Sequence, residues 1–159
     1  MVDLDVAFIP TPKAIVQQML QIAQVRQGEI LFDLGAGDGR ILIEASRRFG
    51  AQTVGVEIDP NRVTRIKERL RATGVQAKVI QADLMDVDLS SADVIAIYLS
   101  YSVNSKLAPK LSRELKPGAR IVSLDYVLPG WVPEKEITVE SGGVSRKLFL
   151  YRVARTKTN

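Results

Sequence analysis

Ile30-Leu31-Phe32-Asp33-Leu34-Gly35-Ala36-Gly37-Asp38-Gly39-Arg40 is the stretch on which the reading of this chain turns. It reads as a buried strand carrying an acidic residue at its end, then three glycines at alternate positions, then a helix. A strand that stops at a glycine-rich turn and restarts as a helix gathers backbone N–H groups and a helix N-terminus around one point. Glycine permits φ > 0 there and lets a ligand come close to the backbone. A dinucleotide fingerprint wants a further small residue one place on, where this chain has Arg40. Asp33 and Asp38 flank the glycines and would repel a pyrophosphate. A ligand with a cationic amino-acid end and a ribose suits that setting, and S-adenosyl-L-methionine (SAM) has both. The alternative for the glycines alone is a tight turn that binds nothing.

The next two strands sharpen this. Thr53 to Ile58 reads as strand two, with Glu57 at its end, 22 positions after Gly35. That is close to the roughly 20-residue spacing at which an acidic residue meets a ribose diol. Two vicinal hydroxyls are donors, and an ionised carboxylate offers two acceptor oxygens. Ala77 to Ala82 reads as strand three and ends at Asp83, a third acid at a strand's carboxyl end, placed to accept from an adenine amino group. Val94 to Leu99 is continuously apolar, as a central parallel strand should be. Ser100-Tyr101-Ser102-Val103-Asn104 follows it, at the end where open α/β sheets place their ligands.

Phe8-Ile9-Pro10-Thr11-Pro12 precedes a helix that Thr11 can cap and Pro12 can begin, running to Gln27-Gly28. The segment reads either as a plain helix start or as a lid over the cofactor. Further helices are expected from about Arg40 to Phe49, from Asp59-Pro60 to about Thr73, and along Val103, Leu107, Leu111 and Leu115, where Pro109 should kink or restart the helix. The arginines at 62, 65 and 69 read as a solvated outer face, with phosphate binding as the rival. Asp86 to Leu89 reads as a loop. Arg120 to Asp125 is strand five. Glu136 to Glu140 and Lys147 to Ala154 form a closing hairpin through Gly142-Gly143. The expectation is a Rossmann-like doubly wound α/β sheet of about seven strands, mostly parallel, forming one domain over 1–159, with 1–27 as lid segment and helix.

The chain has 159 residues, 46% of them hydrophobic and 25% charged, within the range of one soluble domain. No apolar run approaches the roughly 18–20 residues of a membrane span. The start lacks the basic region of a signal peptide, so a cytoplasmic location is expected. Without Cys or His the chain has no disulfides, no zinc site built on those ligands, no Cys nucleophile and no histidine base. No metal site is expected. Arg outnumbers Lys, which together with these absences points to a thermophilic source or an engineered chain. A net charge of +4 allows a nucleic-acid partner without requiring one.

Taken together, the acidic glycine loop, Glu57, Asp83, the apolar fourth strand and the closing hairpin resemble a class I, seven-strand SAM-dependent methyltransferase. Phe8 to Pro12, Phe32 to Ile41, Val54 to Ile58, Leu115 to Ser123 and Pro129-Gly130-Trp131 resemble a smaller family within it. These are the archaeal broad-specificity protein lysine methyltransferases and the mitochondrial enzymes that modify the c-subunit of ATP synthase and the adenine nucleotide translocase. The resemblance implies protein substrates presenting exposed lysines. It departs where those relatives often carry a His and an acid after the serine of strand five; here Leu124-Asp125-Tyr126 follows Ser123.

SAM is therefore the expected cofactor. Asp33, Gly35 and Ala36 are placed at its methionine end, with Gly37 and Gly39 allowing close approach. Glu57 and Ile58 are placed at the ribose, Asp83 and Leu84 at the adenine, and Pro10, Thr11 and Tyr98 around the cofactor. Tyr98, Ser100, Tyr101 and Asn104 are the candidates for orienting the amine, with Asp125 or Tyr126 assisting. The rivals are an RNA methyltransferase, a small-molecule methyltransferase and a non-catalytic SAM-binding scaffold. Against the first, strand four lacks the Asn/Asp-Pro-Pro-aromatic run that grips a flipped base.

Overall fold

The architecture is that of a computed structural model, which describes residues 10–155. Strands β1 (Ile30–Leu34), β2 (Gln52–Glu57), β3 (Ala77–Gln81), β4 (Val94–Ile97), β5 (Arg120–Leu124), β6 (Lys135–Ser141) and β7 (Val144–Arg152) form one sheet in the order β3-β2-β1-β4-β5-β7-β6. The first five strands are parallel, and β7 runs antiparallel between β5 and β6. Helices α1 (Lys13–Ile22), α2 (Arg40–Phe49), α3 (Pro60–Thr73) and α4 (Tyr101–Glu114) connect and cover it.

Alternation along the central strands builds a core on each face. Phe32, Leu34, Ile95, Ile97 and Ile121 pack with Leu107 and Leu111 of α4 on one side. Leu31, Val94, Ala96, Val122 and Leu124 pack with Ile15, Met19 and Leu20 of α1 and with Ile41 and Ala45 of α2 on the other. At β1 the chain order reverses: β2 and β3 lie to one side, β4 and β5 to the other. The crevice of an open α/β sheet opens at such a point.

Several expected boundaries move. Helix α1 begins at Lys13 with Pro12 as its N-cap, and no side chain caps it, so Thr11 does not. It ends at Ile22 rather than Gln27. Gln24 adopts φ 52°, with Gln24 N–H on Gln21 O and Val25 N–H on Leu20 O, a Schellman closure that usually employs glycine. Arg120 explains the early stop: its guanidinium donates to the carbonyls of Ala23 and Gln24 while pairing with Glu29 at 2.6 Å. Helix α4 passes through Pro109 as one element, without a restart. Leu84–Asp86 forms a short 3-10 turn, so Asp86 does not open a loop. Strands β1 and β2 end at Leu34 and Glu57, leaving Ile58 outside. Residues 8 and 9 of the expected lid lie outside the described residues.

Candidate active site

The carboxyl ends of the five parallel strands bring the expected residues to one edge. Register fixes their neighbours: Leu34 lies between Val56 of β2 and Ile97 of β4, and Ile97 pairs with Ser123 of β5. The glycine loop, Glu57, Tyr98 and the 125–126 turn therefore stand side by side. Asp83 follows β3 on the far flank.

The glycines meet a steric need. Gly35 has φ 79°, and a Cβ there would lie 3.1 Å from Leu99 Cδ2. Gly39 has φ 82°, and a Cβ there would lie 3.2 Å from Ile66 of α3. The expectation that this loop offers N–H groups to a ligand needs correcting. Gly35 and Ala36 both donate to the Val56 carbonyl, at 2.8 and 3.0 Å. Gly37 donates to Glu57 Oε1 at 3.1 Å and Gly39 to Ala36 O at 2.9 Å. With these four donors spent inside the protein, the loop is poorly equipped for a phosphate.

Three carboxylates line the loop. Asp33 is buried, and no hydrogen bond or ion pair among the described residues reaches its side chain. Burial, then the nearby charges of Glu57 and Asp38, pushes its pKa up to about 8. A cation brought beside it would favour the ionised form. Glu57 is also buried; Oε1 accepts from Gly37 N and Oε2 from Asp59 N, at 3.1 and 3.0 Å. A carboxylate has about four acceptor positions, so two remain for a pair of hydroxyls. Asp38 behaves differently. Partial burial works against its charge, but the bonds from Arg40 and the nearby Arg40 and Arg69 charges outweigh it and hold its carboxyl below the ordinary value. Arg40 Nη2 lies 2.5 Å and Arg69 Nη1 2.8 Å from Asp38 Oδ2. Arg40 also donates to the Thr11 carbonyl at 2.6 Å, which ties the buried Thr11 and the adjacent, exposed Pro10 to the loop. The sequence pattern marks Arg40 as a departure from a dinucleotide fingerprint and a helix start, and Arg69 as part of a solvated face; their shared pairing with Asp38 is what the structure adds.

After β3, Asp83 accepts from Met85 N at 2.9 Å through Oδ1, and Leu84 is half-buried beside it. The candidates after β4 separate by environment. Tyr98 is half-buried and Tyr101 is exposed. Ser100 Oγ caps α4 by accepting from Val103 N at 3.1 Å. Asn104 is fully buried and donates to the carbonyls of Val127 and Tyr126, at 3.0 and 3.4 Å. Its visible work is to hold the loop after β5.

These residues fit SAM: a buried acid with no partner among the described residues for a cationic end, spare acceptors for a diol, and a loop with four of its backbone donors already used. Comparison with known proteins agrees. The model of the ANTKMT methyltransferase domain matches residues 33–135. A protein-lysine N-methyltransferase of Saccharolobus islandicus (strain REY15A) is 40% identical over 96% of each chain. The adenine nucleotide translocase lysine N-methyltransferase of Mus musculus is 33% identical over 82% of this chain, which spans 57% of that protein's length. A crystal structure of an RNA methyltransferase from Salinibacter ruber, in complex with S-adenosyl-L-homocysteine, superposes with a TM-score of 0.86 at 39% identity, covering 94% of this chain and 97% of that one.

Proposed function

The chain belongs to the ANTKMT methyltransferase domain family and is a SAM-dependent methyltransferase; we propose that its acceptor is the ε-amine of lysine residues in proteins. The observation that carries this reading is the end-to-end similarity to a protein-lysine N-methyltransferase, 40% identical over 96% of both chains.

When bound, SAM supplies a methyl carbon on a positively charged sulfur, open to in-line attack by an uncharged amine. The chain's own residues bind and orient. Asp33 receives the cationic methionine end and matches its charge. Glu57 takes the ribose hydroxyls through its two remaining acceptor positions, with Ile58 alongside. Asp83 and Leu84 flank the adenine, and Pro10 and Thr11 close over the cofactor through the Arg40 tie. Tyr98 and Tyr101 border the space left for the amine, and Ser100 fixes the start of α4 between them. Lysine has a pKa near 10.4, so roughly one side chain in 2,500 is neutral at pH 7, which costs about 4.6 kcal/mol. Proton loss to water supplies that form without a dedicated base.

A cytoplasmic location and a thermophilic source are compatible with the Cys-free composition. Among the described residues no helix is long and apolar enough to cross a membrane.

Methylation of RNA is the second reading. A basic groove between α1, α2 and α3, where Lys13 and Arg47 join Arg40 and Arg69, both paired with Asp38, and Arg48, paired with Glu44, supports it. The protein crystallised with S-adenosyl-L-homocysteine is itself called an RNA methyltransferase. Incubation with methyl-labelled SAM and separated protein, RNA and metabolite fractions of a cell extract decides between them. Label in protein is expected. Label confined to RNA or metabolites would overturn the lysine reading.

A further inference from the structure

The loop after β5 is held more firmly than a connection needs to be. Tyr126 N–H returns to the Leu124 carbonyl at 2.8 Å, closing a three-residue γ-turn about Asp125, whose φ is 65°. Turns of this hand are rare and strained for a residue with a side chain, and persist where surrounding contacts over-determine them. Those contacts are present. Arg146 of β7 grips Asp125 Oδ2, with Nη2 at 2.6 Å and Nε at 2.8 Å. The other oxygen accepts from Lys147 N at 3.2 Å. The Tyr126 carbonyl accepts from Ser123 Oγ at 2.6 Å and from Asn104 at 3.4 Å.

The turn sets the Tyr126 ring beside Tyr98. The centroids are 6.4 Å apart and the planes 21° from parallel. Arg146 lies 5.2 Å from the Tyr98 centroid, so one cation both clamps Asp125 and braces that ring. Tyr98 is also close to the cofactor cleft. Ala96 pairs with Asp33 across β1 and β4, and Tyr98 is two residues further on, on the same face of the sheet. Tyr126 and Val127 are 42% and 41% exposed, so this aromatic wall opens to solvent.

We infer that Tyr98 and Tyr126 form the wall along which the substrate lysine side chain enters, and that Asp125, clamped by Arg146, is the positioning residue that holds Tyr126 there. The inference rests on the lysine reading above. Ring faces suit the methylene stem of lysine and accommodate its amine in either charge state. The tight anchoring keeps the wall from collapsing when the stem is absent.

The test compares the wild type with Tyr126→Ala, Tyr126→Phe and Asp125→Asn, using a lysine-containing protein substrate for kinetics and calorimetry for SAM. Tyr126→Ala should lower kcat/KM for the protein by about tenfold, mainly through KM, while SAM affinity stays within about twofold. Tyr126→Phe should restore most of the loss, because the ring face and not the hydroxyl is at work. Asn tolerates positive φ, so Asp125→Asn isolates the lost ion pair and should raise KM several-fold with unchanged SAM affinity. Unchanged kcat/KM in Tyr126→Ala overturns the inference, as does a parallel loss of SAM affinity. A wild type that binds SAM but methylates no lysine would instead defeat the lysine reading itself.

Discussion

At the scale of single residues, the site is an arrangement of acids with different partners. Glu57 is braced by two backbone N–H groups. Under the proposed assignment, replacing it with Ala removes the acceptors for the ribose hydroxyls and frees those donors. At about 1.5–3 kcal/mol per hydrogen bond to a charged group, SAM affinity should fall at least tenfold. Calorimetric titration reads this directly, and unchanged affinity would refute the assignment. Asp33 makes a pH-dependent prediction. Its folded pKa of about 8 stands above the ordinary 3.8, so the empty protein holds a proton that the unfolded chain releases. The stability from this group is therefore full below about pH 4 and is lost as pH rises towards 8. A cation in the site favours the ionised form, so SAM binding below pH 8 must expel the proton. Affinity should weaken as pH falls from about 8, by at most about tenfold per pH unit, with proton release visible in buffers of different ionisation enthalpy. Asp33→Asn should bind SAM poorly yet melt a few degrees higher at pH 8 or above, on the order of 1 kcal/mol. Both acids were legible in the sequence because each sits at the end of an apolar strand at a telling distance from the glycines. The role of Asn104 was not legible, since its partners are carbonyls of Tyr126 and Val127, 22 and 23 positions away.

At the scale of elements, hydrophobic patterning located the four helices and seven strands of the described residues, and missed where long-range contacts set the ends. The early stop of α1 is the clearest case. Nothing near Gln24 announces a left-handed residue; Arg120, 97 positions beyond Ala23, supplies the reason. Arg120 is buried and meets Glu29 with both terminal nitrogens, at 3.0 and 2.6 Å. Arg120→Ala should destabilise the protein by about 3–5 kcal/mol, because it strands the half-buried Glu29 and the carbonyls of Ala23 and Gln24. Arg120→Lys should recover only part of that, lacking the planar fork. Denaturant melts of both variants check the order; equal stability of Arg120→Ala and the wild type would contradict it. Pro109 shows the opposite limit. Its local rule against helix interiors gives way to the burial of Leu107, Ala108 and Leu111 along one face of α4.

At the scale of the whole molecule, the seven-strand sheet does two things. Its reversal of order at β1 opens the cleft, and its antiparallel β7 reaches back beside β5 to deliver Arg146 to the cleft's rim. The closing hairpin was readable from Gly142-Gly143. The placement of β7 between β5 and β6 was not, because pairing order depends on which edge the returning strand can cover and not on any local signal. The candidate site is thus assembled from five strand ends and one returning strand. An exposed rim of that kind suits an acceptor carried on another macromolecule's surface, which lysine methylation requires. The most direct test is tandem mass spectrometry of a defined protein incubated with methyl-labelled SAM and either the wild type or Glu57→Ala. Label is expected on lysine ε-nitrogens with the wild type, with near-complete loss in the variant; label on other atoms, or none on protein while SAM is consumed, would contradict lysine methylation through this site.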